Sequence, residues 1–524
     1  LPSLPYVFLA VYALLNLCFL ERFPFVHSNE SWLSGLSRSI FLSHDFAATE
    51  PFFDLKDRYP HAIKLIFHGM QIVVIKLLGY NIFSMRLLSL VFGVLSLYLI
   101  YKLALLLWGK QAAALGALVF CAVDIQFVYA SHLARQEIIL VFCLLLSLYF
   151  FYKYLPRPGL GADLLSGSVI GLSIGVHPNS FIIFLPALVL YVYHVLISKR
   201  LPWVSLLRYL TAVSCFAFAF IGLSLFLDPQ FLNHYSALGE SLAVFNPLPS
   251  KLTGLKLFYQ KLYYSISGTY YTPWIRFQFY LFGAIFLGAL GLAWLQRNEK
   301  GPARDKSCPA AAEITLGLIF AILALNLGIV LVGRFNQTSV IFQFPLFYLL
   351  AASLIYTLPD VKTLWRHLAA GLLTLVLLSS SMLNIFPALV HSYDDYLRQI
   401  EKYVPAGARV LANLNTEYYF SPGKLYDYRN LAFLPDKGLD FDEYIRGNDI
   451  EYIIYPEEMD VIHQERPRWN GMYGPLLYYE EMQAFLKDHC RLAGQFSAPV
   501  YGMRIVGYQN IRDWQVKIYR VNTL

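Results

Sequence analysis

The chain has 524 residues, of which 57% are hydrophobic and only 14% are charged, and its formal net charge at pH 7 is +7. Soluble globular proteins have about 45 to 50% apolar and about 25% charged residues. This composition therefore excludes an ordinary soluble enzyme and indicates a multi-span membrane protein. The basic residues are scattered over loops that flank apolar segments, without the stripe and interleaved aromatic residues that are typical of a nucleic-acid-binding surface.

Apolar segments of the length needed to cross a bilayer recur along the first three quarters of the sequence. Because a helix needs about 20 apolar residues to cross the hydrocarbon core, we predict about eleven spans. They lie at 4–20, 84–107, 111–129, 133–153, 163–176, 179–198, 204–227, 275–296, 313–332, 339–357 and 364–386. A further apolar segment at 62–79 is predicted to be a juxtamembrane or re-entrant helix, because counting it as a span would invert every later loop.

The distribution of Lys and Arg predicts the orientation of these spans, since positively charged loops stay on the cytoplasmic side. With the amino terminus inside, the basic loops fall on the cytoplasmic side. They include Lys110, Lys153, Arg157, Lys199, Arg200, Arg208, Arg297, Lys300, Arg304, Lys306, Lys362 and Arg366. The first loop at 21–80 and the region after 390 then lie outside. We expect a multi-pass protein of the bacterial inner, or plasma, membrane.

The first loop carries far more ionisable chemistry than a connector between two spans requires. Its ionisable residues include Glu30, His44, Asp45, Glu50, Asp54, Asp57, Arg58 and His61. Ionisable groups beside a bilayer are by default functional candidates. A short helix is predicted at 31–41, lying on the membrane surface.

Three later outer turns add further polar groups. The first brings Arg135 and Glu137 to the surface, the second carries His177, and the third carries Arg334. An outer Arg contradicts the positive-inside bias, and a phosphate is a natural partner because the planar guanidinium binds phosphate oxygens bidentately. A lone His such as His177 is more often a turn residue than a ligand, although His is the commonest metal ligand.

From 391 to 524 the composition becomes that of a soluble domain. Strands are predicted at 408–412, 450–455 and 516–521, and an amphipathic helix at 479–489. We therefore predict a transmembrane domain at 1–390 and a small extracytoplasmic α/β domain at 391–524. The tail contains no Gly-rich phosphate loop and no H-E-x-x-H motif, and it suggests no chemistry by itself.

Outside the cytoplasm there is no nucleotide pool, so group transfer on that side needs a donor that arrives in the lipid. Polyprenyl-phosphate-linked sugars are such donors. Their transfer needs a carboxylate that accepts a proton from the acceptor hydroxyl. It also needs cationic groups or a metal ion that stabilise the departing lipid phosphate.

On these residues the sequence resembles the GT-C glycosyltransferases, specifically the protein-O-mannosyltransferase and lipid A aminoarabinose transferase group. That group has an Asp-Glu pair after the first span, where this chain has Asn29-Glu30. It also has an acidic residue before a proline-containing segment, matched here by 57–61, and an acidic residue near the fourth span, matched by Glu137 in 134–137. A later Arg before a proline-containing helix is similar to Arg334 with Pro345.

The resemblance implies a GT-C fold of about 11 to 13 transmembrane helices with a small C-terminal domain. It implies inverting transfer, in one displacement, from a polyprenyl-phosphate sugar to a hydroxyl of a protein, lipid A or glycan acceptor. The catalytic candidates are Asn29, Glu30 and Asp57. The candidates for binding the donor phosphate are Arg58, Arg135 and Arg334.

The resemblance also suggests second roles for the acidic loop residues. Glu137 would orient an arginine or a metal ion, and Asp57, with His177 or His61, would hold a divalent cation such as Mg²⁺, Mn²⁺ or Zn²⁺. Structural readings of the same residues are a solvated Asp57–Arg58 ion pair, worth about 0 to 1 kcal/mol, and a Glu137 carboxylate favoured by a helix N-terminus.

Asn29 departs from the family pattern, because an amide does not accept a proton at neutral pH. Either another loop carboxylate is the base, or the Asp-Glu pair is displaced by one position, or the chain is a catalytically inactive GT-C-like scaffold. A lipid or sugar transporter or flippase is the other alternative. It would be expected to show related halves with matching broken helices, and the sequence has no such symmetry.

Overall fold

The computed structural model describes residues 3–266, 271–298, 310–358, 361–465, 476–502 and 513–522. The predicted basic residues Lys300, Arg304 and Lys306 lie outside these ranges. The helices of the described parts are α1 Leu4–Leu17, α2 Ser28–Ser43, α3 Leu65–Leu78, α4 Ile82–Trp108, α5 Gln111–Ala122, α6 Ile125–His132, α7 Glu137–Tyr154, α8 Leu160–Ser173, α9 Ser180–Leu196, α10 Trp203–Leu227, α11 Phe231–Ser241, α12 Leu248–Tyr263, α13 Arg276–Asn298, α14 Ala311–Val332, α15 Phe344–Thr357, α16 Thr363–Leu389, α17 Tyr393–Glu401, α18 Leu434–Lys437, α19 Phe441–Gly447, α20 Glu458–Glu465 and α21 Tyr479–His489. The strands are β1 Val410–Ala412, β2 Leu425–Asp427, β3 Tyr452–Pro456, β4 Cys490–Ser497 and β5 Gln515–Val521.

The membrane part of the chain is a helical bundle. Among the described residues, seven helices are long and apolar enough to cross a membrane, and α5 with α6 forms an eighth, bent span. The shorter apolar helices α1, α8 and α9 occupy the remaining predicted spans, and α3 occupies the predicted juxtamembrane segment. The predicted helical membrane fold is confirmed. We call the side on which α1 ends and α2 begins the loop face.

The predicted span at 111–129 is broken in the structure. The chain bends by 64° between α5 and α6. Asp124 is fully buried at this break, and one of its oxygens caps α6 by accepting the N–H groups of Gln126 and Phe127 at 2.8 and 3.2 Å. The other oxygen accepts the hydroxyl of Tyr348 at 2.7 Å and the amide of Gln278 at 2.9 Å. Non-helical backbone at membrane depth is tolerated where protein groups satisfy it, so this bend is built into the bundle.

The buried ion pair between Glu30 and Arg86 joins the first loop to the bundle. Both side chains have 0% exposure. Arg86 donates to the two carboxylate oxygens at 2.8 Å each, and the same oxygens accept the backbone N–H groups of His27 at 3.0 Å and Ala134 at 2.9 Å. A carboxylate has about four lone-pair sites, so the acceptor capacity of Glu30 is filled. The pair therefore fixes α2 against α4 and the α6–α7 turn.

A five-stranded sheet forms the centre of the region after 391. Its strand order is β2-β1-β3-β5-β4, with β1 parallel to β2 and β3, and β5 antiparallel to β3 and β4. The three predicted strands and the predicted helix at 479–489 are present as β1, β3, β5 and α21. The sequence analysis missed β2 and β4, because β2 has three residues and β4 exposes most of its side chains.

The C-terminal region packs on the first loop, so α2 is covered by protein instead of lying on a membrane surface as predicted. The Ser34 and Tyr418 hydroxyls are 2.7 Å apart, and Arg38 donates to the carbonyl of Phe420 at 2.8 Å. The buried Glu417 carboxylate accepts the hydroxyl of Tyr80 and pairs with Arg38 at 3.3 Å. Polar contacts between two folded parts therefore hold the loop face together.

Substituting Arg86 by Met will strongly destabilise the protein, because it leaves the Glu30 carboxylate buried without its cation. Breaking a buried ion pair typically costs about 3 to 5 kcal/mol. Thermal unfolding of the purified protein in detergent measures the effect. Arg446→Met, which breaks the partly exposed Arg446–Asp442 pair, is the matched control and will leave the Tm almost unchanged.

Glu417 makes the docking of the C-terminal region dependent on pH. Burial raises its pKa from the usual 4.5 to about 7, against the lowering effect of hydrogen bonds from Tyr80 and Arg38. The docked state therefore binds this proton more tightly than the undocked state, so stability falls as pH rises from about 4.5 to about 7 and then levels off. The Tm of the wild type will fall over this range, and that of Glu417→Gln will fall less. Equal slopes for the two proteins would contradict this assignment, and Glu401→Gln, at an exposed site, serves as the control.

Candidate active site

Four cationic side chains come together on the loop face, and we call Arg58, Lys64, Arg135 and Arg334 the cation cluster. Burial and the charges of Arg334 and Arg58 together lower the pKa of Lys64 from its usual 10.5 to about 8. Burial likewise lowers the pKa of His177 well below its usual value, with contributions from Lys64, Arg334 and Arg135. Charges affect one another's pKa in this way only when they are close, within about the 8 to 10 Å of a Debye length. The four cations therefore belong to one site.

Lys64 is positioned by the start of α3. Its backbone φ of 100° lies in the left-handed region, where it ends the loop and begins the helix. The N–H groups of Ile66 and Phe67 both donate to the carbonyl of Gly175, at 2.8 and 3.3 Å. These bonds tie the first turn of α3 to the turn that carries His177.

Arg135 and Arg334 are linked through Glu137 at the N-terminus of α7. Glu137 accepts two hydrogen bonds from Arg135, at 2.7 and 3.2 Å, and one from the hydroxyl of Thr338 at 2.6 Å. Thr338 follows Arg334 by four residues, in the 3-10 turn Gln337–Gln343. Glu137 thus holds the guanidinium of Arg135 and also attaches α7 to the turn that carries Arg334.

Arg58 is held by Glu50, a residue that the sequence analysis did not assign to the site. Glu50 is 6% exposed and accepts hydrogen bonds from Arg58 and, at 2.7 Å, from the indole N–H of Trp32. Burial alone would raise the pKa of Glu50, but the bonds from Arg58 and Trp32 lower it to about 2. The carboxylate is therefore ionised at neutral pH.

Lys64 is the cation of the cluster that lacks a nearby carboxylate. Arg58 pairs with Glu50 and Arg135 with Glu137, whereas among the described residues no carboxylate lies within 4 Å of the Lys64 ammonium. His61 is a neutral neighbour, because burial and then the charge of Lys64 lower its pKa to about 4. A buried ammonium group of this kind is suited to an anionic ligand.

An apolar cavity of about 340 Å³ borders the 3-10 turn that follows Arg334. Val340 and Gln343, on the 3-10 turn that follows Arg334, line it together with Tyr259 of α12, Phe282 of α13 and Phe347 of α15. Its size is within the range of about 300 to 1,000 Å³ that is typical of ligand sites. We call it the donor-side cavity.

The structure brings Arg58, Arg135, Arg334, Glu137 and His177 close together. It does not bring the proposed catalytic residues into the same open space. Glu30 is saturated by its four donors, and the backbone N–H of Asn29 caps α2 by donating to His27 Nδ1 at 3.0 Å. Asp57 is exposed and pairs with Lys437 of α18 at 3.2 Å. These contacts give Glu30 a structural role and turn Asp57 away from the cluster.

The residues suggested for a divalent cation do not fit one. Among the described residues, no group of three or more His, Cys, Asp and Glu side chains is arranged to hold a metal ion. Asp57 faces solvent and Lys437, while His177 is buried and its Nδ1 accepts the N–H of Asn179 at 3.0 Å. The cations around His177 would also repel a metal ion.

The sequence analysis did not identify three residues that build or support the site, namely Arg86, Lys64 and Glu50. Arg86 looks like part of an apolar span, and Lys64 stands in the apolar segment at 62–79. Its position directly after the acidic loop could have identified it, because it puts a cation at the boundary between the loop and the apolar segment. Glu50 differs in no local feature from its acidic neighbours, so only the fold distinguishes it.

The fold is that of GT-C membrane proteins, and comparisons with known proteins agree. Residues 66–220 match the family model described as dolichyl-phosphate-mannose-protein mannosyltransferase. No curated protein sequence matches the chain. The resemblance to GT-C glycosyltransferases that the sequence predicts is confirmed.

Solved structures give the particular relatives. The chain is similar to the crystal structure of ArnT from Cupriavidus metallidurans bound to undecaprenyl phosphate, with 14% identity, a TM-score of 0.59 and coverage of 99% of this chain and 98% of that one. The apo state of the same protein gives 13% identity, a TM-score of 0.59, and 98% and 97% coverage. The apo oligosaccharyltransferase of Archaeoglobus fulgidus gives 11% identity, a TM-score of 0.54, and 91% and 72% coverage. At these identities the likeness establishes the GT-C fold.

Proposed function

We propose that this protein is a glycosyltransferase that transfers a sugar from a polyprenyl-phosphate donor to an acceptor hydroxyl, on the extracytoplasmic side of a bacterial inner membrane. The observation that carries the proposal is that one 3-10 turn, Gln337–Gln343, connects the cation cluster to the donor-side cavity: it follows Arg334 and bonds Glu137 through Thr338, and its Val340 and Gln343 line the cavity. A polyprenyl phosphate has the same two parts, an anionic head and a long apolar chain. The relative with undecaprenyl phosphate bound supports this choice of lipid.

In this proposal the donor phosphate lies between Lys64 and Arg334, with Arg135 oriented toward it by Glu137. The polyprenyl chain enters the donor-side cavity past Val340 and Gln343. The cations stabilise the charge that develops on the leaving phosphate, which acts most strongly where water is excluded. Arg58 is the fourth cation, and it reaches the phosphate by exchanging one of its bonds to Glu50.

The acceptor hydroxyl attacks the anomeric carbon of the sugar as the bond to the phosphate oxygen breaks, so the configuration is inverted in one displacement. The hydroxyl proton passes to a carboxylate, and the polyprenyl phosphate leaves with the bonding electron pair. We assign the proton acceptor to Glu50 in place of Glu30, because the lone pairs of Glu30 are filled. Movement of Arg58 toward the donor phosphate raises the pKa of Glu50, so the base strengthens when the donor is bound.

This assignment also accommodates Asn29. The Asn29 amide does not need to act as a base if Glu50, in the same loop, accepts the proton. Asp57 then belongs to the contact between the first loop and α18. The proposal uses no metal ion, since the residues suggested for one do not fit it.

Two other functions remain to be distinguished by experiment. A flippase would bind the same lipid and move it without breaking the phosphate–sugar bond. An inactive scaffold would bind neither donor nor acceptor productively. Incubating the purified protein with radiolabelled polyprenyl-phosphate sugars and cell-envelope extract separates these cases, because only a transferase moves the label to an acceptor.

Replacing Lys64 or Arg334 by Met will weaken the binding of undecaprenyl phosphate, because each variant removes a charge that faces the phosphate. Hydrogen bonds to charged groups contribute about 1.5 to 3 kcal/mol, so we expect about a 10- to 100-fold increase in Kd for each variant. Native mass spectrometry of the protein in detergent, titrated with undecaprenyl phosphate, gives this value. Lys487→Met removes an exposed lysine of α21 and is the matched control. An unchanged Kd in both cluster variants would contradict the assignment of the phosphate site.

Substituting Glu50 by Gln will lower the rate of sugar transfer by about 100-fold or more, the range typical of a lost general base. The binding of undecaprenyl phosphate will be retained, since the amide keeps the shape of the side chain. Glu30→Gln will instead lower the Tm, and any loss of its activity will follow the loss of folded protein. If Glu50→Gln transfers label at the wild-type rate, Glu50 is not the base.

A further inference from the structure

The C-terminal region contacts the first loop immediately beside Glu50. The carbonyl of Phe52, two residues after Glu50, accepts the backbone N–H of Asp427 at 3.1 Å and the side-chain amide of Asn430 at 2.9 Å. The N–H of Phe53 donates to the carbonyl of Glu50 at 3.2 Å. The C-terminal region therefore holds the stretch of loop backbone that carries the proposed proton acceptor.

Arg429 of the same region packs on two aromatic side chains of the loop. Its guanidinium carbon lies 4.9 Å from the ring centroid of Trp32 and 4.7 Å from that of Phe53. The two rings are 5.1 Å apart, with an angle of 80° between their planes. Cations within about 6 Å of an aromatic ring centroid are attracted to the ring. Arg429 thus holds the indole of Trp32, whose N–H donates to the Glu50 carboxylate at 2.7 Å.

Asp427 in turn fixes the guanidinium of Arg429. This carboxylate is fully buried and accepts two hydrogen bonds from the guanidinium, at 2.6 and 3.2 Å. It also accepts the backbone N–H groups of Leu414 at 3.0 Å and Arg429 at 2.9 Å. A guanidinium bound through two parallel hydrogen bonds has a defined orientation, so Arg429 is a rigid contact between the C-terminal region and Trp32.

Two cations of the first loop also lie near Trp32, but neither is fixed in this way. The guanidinium carbon of Arg58 and the ammonium nitrogen of Lys56 are 5.1 and 5.6 Å from the ring centroid. In the proposed reaction Arg58 exchanges one of its bonds to Glu50 for the donor phosphate, so it moves. Among the described residues, no carboxylate lies within 4 Å of the Lys56 ammonium. When Arg58 moves, Trp32 is the donor that keeps the Glu50 carboxylate in place.

We propose that Arg429 is a positioning residue of the active site, which holds Trp32, and through Trp32 the Glu50 carboxylate, in place while Arg58 turns to the donor phosphate. This inference rests on the proposed function, because it extends the role given there to Glu50. It makes the C-terminal region a part of the active site. Arg429 then affects the rate of proton transfer and not the binding of the donor lipid.

The test measures sugar transfer by the full-length protein in detergent, with the radiolabelled polyprenyl-phosphate sugar that the wild type transfers. Arg429→Met alone would leave the buried Asp427 carboxylate without its cation, so it is combined with Asp427→Asn. We expect the transfer rate of this double variant to fall by about 10- to 100-fold, because a displacement of about 1 Å can cost about 100-fold in rate. The Kd of undecaprenyl phosphate will stay at the wild-type value.

Two single variants distinguish positioning from a purely structural role. Trp32→Phe keeps an aromatic ring for Arg429 and removes only the N–H that Glu50 accepts, so its transfer rate will fall as in the double variant. Combining Trp32→Phe with the double variant will cause little further loss, since residues that act as a unit are not additive. Arg429→Lys keeps the charge without the planar fork, so its rate will lie between those of the wild type and the double variant.

Arg398→Met combined with Asp395→Asn is the matched control, because it removes an exposed ion pair of the same region. It will transfer sugar at the wild-type rate.

Three results would overturn the inference. They are a wild-type rate in both the double variant and Trp32→Phe, losses that multiply when the two are combined, and an increase in the Kd of undecaprenyl phosphate that accounts for the lost rate. Full activity of these variants beside an inactive Glu50→Gln would contradict this inference alone. A wild-type rate in Glu50→Gln would instead remove the proposed base, and this inference with it.

Discussion

The Glu30–Arg86 ion pair is the interaction on which the loop face depends. Four N–H groups from three parts of the chain converge on one buried carboxylate, and together they fix the start of α2, the first turn of α4 and the turn before α7. Arg135 follows directly after Ala134, whose N–H is one of these donors. The position of the cation cluster therefore depends on a pair that does not belong to it.

A surplus of positive charge beside an apolar cavity gives the site its specificity. In water the four cations would repel one another weakly, but in a partly buried site the repulsion is stronger, because the effective dielectric is lower. The protein relieves part of it with Glu50 and Glu137 and leaves Lys64 for a ligand. An anionic lipid completes the balance, since its phosphate supplies charge and its chain fills the space below.

The sequence predicts much of the fold, since span length, loop charge and the composition change at 391 all reflect strong local constraints. It also predicts that Arg58, Arg135 and Arg334 meet, because loops on the same side of a bundle lie near one another. It does not predict the partner of Glu30, as Arg86 lies 56 residues later in an apolar helix. The bend at Asp124 is hidden as well, because it depends on side chains of α13 and α15 and not on a local Gly or Pro. Glu50 is distinguished from its acidic neighbours only by burial and by Trp32.

The most direct test of the central claim is a cryo-electron microscopy structure of the protein with undecaprenyl phosphate. The account predicts the phosphate within hydrogen-bonding distance of Lys64 and Arg334, with the chain running past Val340 and Gln343. A phosphate bound outside the cation cluster, with its chain outside the donor-side cavity, would contradict it.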